Sequence, residues 1–166
     1  MELEKYHQIK NFGFIIEDMT QGKTGMGWEG IFGKTHLFID GEKVISKGFE
    51  LTSTVCEFYL GIKNLFEKGR DGNTYFCCTC GDHGCAYIHW DLALKDGTIF
   101  INMENLLGEP IGKHLYSIDS YKFIEGILYL YGKVTEYMRK NNIKKVQRGE
   151  LKDFERMQSE IKSYLK

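Results

Sequence analysis

Proline is almost absent from this chain: a single residue, Pro110, stands among 166. That scarcity excludes a proline-rich linker or a polyproline recognition arm. An excess of one charge sign is missing too. Twenty-two Lys and Arg against 23 Asp and Glu leave a net charge of −1, so no general basic field draws in nucleic acid. No apolar run approaches the roughly 20 residues that span a bilayer. The opening Met1-Glu2-Leu3-Glu4-Lys5 is polar and lacks the apolar stretch of a secretory signal. These absences set the expectation of a cytoplasmic protein with no membrane partner, and they disfavour nucleic acid as a partner. Thiols stay reduced in that compartment, and an odd count of five cysteines weighs against a disulfide framework.

What is present is enough for a full core. Hydrophobic residues make up 42% of the chain and aromatics 14%, a globular composition at a length that suits one domain. The first 50 residues read as strands. Phe12–Ile16 and Ile31–Ile39 are apolar runs, and Asp40-Gly41 before Val44-Ile45 is a strong hairpin signal, because a type I′ turn needs positive φ. Gln21–Gly30, with four glycines and Trp28, reads as a loop free to move. Leu51–Lys68 is the clearest helix. Val55, Phe58, Tyr59, Ile62, Leu65 and Phe66 share one face, Thr54 with Glu57 fits a capping box, and Gly69 supplies the stop. Cys56 beside that stripe reads as a small, partly buried residue.

Strands over about 74–80, 85–94 and 98–103 form an antiparallel meander, with Lys95-Asp96-Gly97 as one of its turns. A helix over about 120–139, capped by Asp119 or Ser120, shows a wide apolar face. A last helix over about 149–165 shows a narrow one, as befits an outer element. The basic run Arg139–Arg148, with five Lys or Arg in ten residues, reads as a solvated connection between those helices, with a phosphate-binding patch as the alternative.

Four of the five cysteines lie in Cys77-Cys78-Thr79-Cys80-Gly81-Asp82-His83-Gly84-Cys85. A hairpin with Cys80 opposite Cys85 pairs Phe76 with His89 and Tyr75 with Trp90. Strand alternation then puts Cys78, Cys80, Cys85 and His89 on one face and turns Cys77 toward the core. A slip of one residue would exchange the faces. Four readings stay open. In the first, the thiols are simply small residues in a tight turn. Cys78, Cys80 and Cys85, with His83 or His89, would make a tetrahedral zinc set. Cys80 and Cys85 would make a cross-strand disulfide. One thiol with a histidine base would make a nucleophile. His36 and His114 are further ligand candidates, and Trp28, Tyr87 and Trp90 could line a binding face or complete the core. The chain carries no Walker-type phosphate loop, H-E-x-x-H or G-x-S-x-G.

The segment Cys78–Cys85, with the aromatic strand that follows, resembles a group of uncharacterised bacterial α/β proteins with a C-x-C-G-x-x-G-C hairpin. Asp40-Gly41 and Tyr116–Tyr121 fall where that group has its first hairpin and the start of its final helix. The resemblance implies the hairpin and a bacterial source, and no activity.

The sequence therefore predicts one α+β domain over 1–166. A mainly antiparallel sheet packs against two core helices, and 140–166 forms an outer C-terminal helical extension. The expected role is a non-enzymatic binding or regulatory protein that blocks a protein partner, as an immunity protein blocks its toxin. The alternative is a zinc-stabilised or thiol-redox module built on the Cys78/Cys80/Cys85 hairpin.

Overall fold

A computed structural model describes residues 10–69, 71–77, 79 and 86–165, with the side chains of Ala86 and Tyr87 outside that description. The fold is α+β and its sheets are antiparallel. Strands β1 (Phe12–Lys23), β2 (Glu29–Ile39) and β3 (Glu42–Glu50) form one sheet in that order. Helix α1 (Leu51–Glu67) follows directly. Strands β4 (Gly72–Cys77), β5 (Ala86–Lys95), β6 (Thr98–Glu104) and β7 (Tyr116–Asp119) form a second sheet, also in sequence order. Helix α2 (Ser120–Lys140), a small hairpin of β8 (Lys145–Val146) and β9 (Gly149–Glu150), helix α3 (Leu151–Lys162) and a 3-10 turn (Ser163–Leu165) complete the chain.

Turn chemistry explains the hairpins. Asp40 and Gly41 adopt φ of 52° and 80°, and Asp96 and Gly97 adopt 50° and 75°, so each Asp-Gly pair takes the double left-handed step of a type I′ turn. The expected loop over 21–30 is instead a hairpin, since β1 continues to Lys23 and β2 begins at Glu29. Only 24–28 turns, and it is tied down. The Thr24 N–H donates to the Trp28 carbonyl at 2.7 Å, and the Thr24 hydroxyl accepts from the Trp28 N–H at 3.1 Å.

The two larger sheets share one core with α1 and α2. Its centre is aromatic: Phe76 stacks on Phe49 with ring centroids 4.4 Å apart, and Trp90 meets Phe58 edge to face at 5.1 Å. Such pairs add to what area burial alone contributes. Gly61 of α1 and Gly72 of β4 allow helix and strand to touch backbone to backbone, for a Cβ at Gly61 would lie 2.7 Å from the Asn73 carbonyl oxygen. Helix α3 lies outside, as its narrow stripe predicts, and inserts Phe154 and Ile161 into the core. Its polar side grips α1 where the Tyr59 hydroxyl donates to Glu160 and Arg156 donates to the same carboxylate at 2.9 Å.

Two local expectations are corrected. Helix α1 is capped by Glu50, whose carboxylate accepts from the Thr52 and Ser53 N–H groups at 3.0 and 2.7 Å. Thr54 sits within the helix, its hydroxyl donating to the Glu50 carbonyl at 2.7 Å. The β4–β5 register is one residue from the expected one: Phe76 pairs with Ile88, Tyr75 with His89 and Thr74 with Trp90, and a bulge then sets Cys77 against Ala86. Core-facing Phe76 drives this choice, because the expected register would have turned a fully buried ring toward solvent.

Candidate functional site

Four segments converge at the N-terminal end of α1. The β1–β2 turn reaches the cysteine segment through the Gly25 N–H, which donates to the Thr79 carbonyl at 3.1 Å. The Cys77 N–H donates to the Thr54 hydroxyl at 3.1 Å, tying β4 to α1. The β8–β9 turn joins where the Gln147 N–H donates to the Glu29 carbonyl at 3.0 Å. Arg148 from that turn donates to Glu57 of α1 at 2.9 Å, a pair in which both side chains are about four-fifths buried (21% and 16% exposed). Glu50 lies beneath and is buried. Gly30 makes room for it, since a Cβ there would come within 2.4 Å of Glu50 Oε1.

This crevice holds both described free thiols, Cys56 (buried) and Cys77 (half-buried). Burial pushes the Cys56 thiol up to about 11, against the pull of Arg148. Burial, then the Glu50 and Glu57 carboxylates, push Cys77 up to about 12. Burial and Glu57 also raise the Tyr75 hydroxyl. A thiol is nucleophilic as its thiolate, so Cys56 and Cys77 are chemically quiet at neutral pH. The Arg148 charge is engaged by Glu57 and closes the crevice instead of activating a nucleophile.

Of the residues singled out in the sequence, Cys78, Cys80, Cys85 and His83 lie outside the described residues. His89 is on the solvent side of β5, stacked on Tyr75 at 6.3 Å and 3.9 Å from Asp91; it shares a face with Tyr75, not with Phe76 as expected. Among the described residues, no three His, Cys, Asp or Glu side chains gather at metal-binding range. Trp90 is wholly buried and belongs to the core, while Trp28 is half-buried at the crevice rim and His114 is exposed. His36 is buried on the outward face of β2, between Ser46 and Glu17. The basic run is largely the solvated connection expected, with Arg139, Lys140, Lys144 and Lys145 exposed and Arg148 drawn inward. Arg139 pairs with Glu155 at 3.5 Å, Lys140 with Glu136 at 2.8 Å, and Arg148 with Glu57.

A second feature escaped the sequence reading. Residues 105–115, between β6 and β7, form a braced excursion. Asn105 Oδ1 accepts from the N–H groups of Leu107 and Glu109 at 2.9 and 3.0 Å, and its Nδ2 donates to Glu109 at 2.8 Å. The Ile111 N–H donates to the Met103 carbonyl at 2.9 Å, and the Tyr116 hydroxyl accepts from the Lys113 N–H at 2.8 Å. At its tip Leu106 is 58% and Leu107 82% exposed, and Leu115 at its foot is 54% exposed. The only sequence signal was Leu106-Leu107-Gly108, two apolar residues at a turn.

Comparison with known protein families, curated proteins and solved structures finds no match. Among the described residues, no helix is long and apolar enough to cross a membrane.

Proposed function

We propose that this protein is a cytoplasmic binding module that recognises and blocks a protein partner through the 105–115 excursion. An immunity protein that neutralises a toxin is the concrete member of that class. The observation that carries the reading is a hydrogen-bonded loop that holds two adjacent leucines in solvent. A turn with no partner to meet gains nothing from apolar side chains at its tip, and exposed apolar residues at a fixed place mark interaction sites. Bracing by Asn105 removes ordering cost before binding, which favours affinity. Quiet thiols in the crevice agree with a role that does not run through Cys56 or Cys77.

Paired retrieval from host extract tests the reading. Wild type and a Leu106→Ser/Leu107→Ser variant are used side by side, and the retained proteins are compared by mass spectrometry. The expected result is one protein held in near-equal amount by wild type and lost from the variant. Retention of the same set by both would refute the loop as the recognition surface.

A further inference from the structure

On the outward face of the first sheet, Ser46, His36 and Glu17 form a hydrogen-bonded chain across three strands. Ser46 Oγ lies 2.8 Å from His36 Nδ1, and His36 Nε2 lies 3.1 Å from Glu17 Oε2. The ring is buried, with its side chain 5% exposed, while Glu17 is 40% exposed and Ser46 is exposed. The Glu17 carboxyl is held below its usual range, chiefly by its hydrogen bond to His36. An ionised carboxylate only accepts, so a ring with a single proton carries it on Nε2 and leaves Nδ1 as the acceptor for the Ser46 hydroxyl. That is the order of nucleophile, base and orienting acid.

The backbone around the chain is shaped for it. His36 pairs with Ser46 on one side and with Ile15 on the other, so Glu17 must reach the ring diagonally. Immediately after Glu17, β1 bulges at Asp18-Met19, and Asp18 takes a φ of 54°. A second irregularity follows Leu37 in the β2–β3 pairing. Bulges re-aim side chains, and a non-glycine residue in the left-handed region persists only where its surroundings enforce it. Beside Ser46 on the same face, Gly48 has open space where a Cβ would stand, and Lys34 pairs with both Gly48 and Glu17. A carbonyl group can approach Ser46 over Gly48, with the Lys34 positive charge on the same face. β3 is an edge strand among the described residues.

We propose that Ser46 is a nucleophile activated by His36, with Glu17 as the positioning residue, acting on small carboxylic esters. Ser46 Oγ bonds to the carbonyl carbon as its proton passes to His36 Nδ1. The C–O bond to the alcohol then breaks, and the alkoxide leaves with the proton held by His36. Water repeats the step through His36, which releases the acid and restores the Ser46 hydroxyl. No redox partner is needed. The inference uses residues apart from the leucine loop and does not depend on partner binding.

A fluorophosphonate probe on the full chain at neutral pH tests it, with sites identified by peptide mass spectrometry. Attack by Ser46 forms an O–P bond and releases fluoride. The expected result is labelling of Ser46 at least tenfold faster than of exposed Ser117. Glu17→Gln should slow it about tenfold or more with an unchanged melting temperature, and Ser46→Ala should remove it. His36→Gln removes the base but alters a buried site, so the surface variant Glu17→Gln carries the decision if that protein does not fold. Labelling of Ser46 no faster than of Ser117, or at a rate indifferent to Glu17→Gln, would overturn the proposal and leave the chain as a cross-strand tie that satisfies a buried histidine.

Discussion

Cys56 and Cys77 illustrate how neighbours decide what a side chain can do. Both thiols are held protonated by burial, at about 11 and about 12. In the unfolded chain they would ionise near their ordinary value of about 8.5. A raised folded value means that the native state keeps protons which the unfolded state releases. Their contribution to stability is therefore complete below about pH 8.5 and is lost progressively as pH rises toward about 11 for Cys56 and about 12 for Cys77, by up to about 1.4 kcal/mol per pH unit for each thiol. Urea midpoints measured from pH 7.5 to 10.5 should fall, and Cys56→Ala should show a shallower fall than wild type; equal slopes would contradict the assignment. Thr74 makes the opposite case. Among the described residues its buried hydroxyl has no hydrogen-bond partner, nor has the indole N–H of Trp90 across the ladder. Thr74→Val keeps the shape and removes an unsatisfied group, so it should raise stability by about 0.5–1.5 kcal/mol in urea unfolding. Nothing in the sequence announces either effect. A cysteine and a threonine at strand or helix positions look ordinary until the ladder and the helix above it are known.

Elements were legible where a local rule fixes them. The apolar stripes of α1 and α2 and the two Asp-Gly turns stand as read, because periodicity and left-handed turn residues are properties of short segments. The start of α1 was misread, since Glu50 is a poorer statistical cap than the neighbouring Thr and Ser residues and acts as one only because burial holds its carboxylate over the first turn. Register was misread for a related reason. A hairpin read outward from its turn carries no knowledge of a bulge at Cys77, and the buried ring of Phe76 outweighs the turn. The Ser46–His36–Glu17 chain was illegible for the same cause, as an irregular pairing lies between each hairpin turn and these residues. Close approach of elements yields a sign-reversed prediction. Gly to Ala inside a helix ordinarily stabilises by about 1 kcal/mol. At Gly61 the added Cβ would meet backbone of β4 at 2.7 Å, so Gly61→Ala should destabilise by about 1–3 kcal/mol, read as a lower urea midpoint. A stabilised Gly61→Ala protein would show that α1 and β4 are not packed backbone to backbone.

For the whole molecule, the division of labour is between a closed interior and a presented loop. Two sheets and two helices enclose one aromatic core, α3 seals the outside through Tyr59, Arg156 and Glu160, and Arg148 closes the crevice over the thiols. Sequence reasoning reached the α+β class and the outer helix, and it named partner blocking as the role without a surface to carry it. Exposure is a three-dimensional property, so the leucine tip was invisible until β6 and β7 were placed. The central claim is that this tip binds a protein. Burying an exposed leucine contributes roughly 1.5–3 kcal/mol, so two leucines should dominate the affinity. The direct measurement is calorimetric titration of the retrieved partner with wild type and with the Leu106→Ser/Leu107→Ser variant. The account predicts a dissociation constant weakened at least tenfold in the variant, with its melting temperature unchanged. Equal affinities for the two proteins would contradict it.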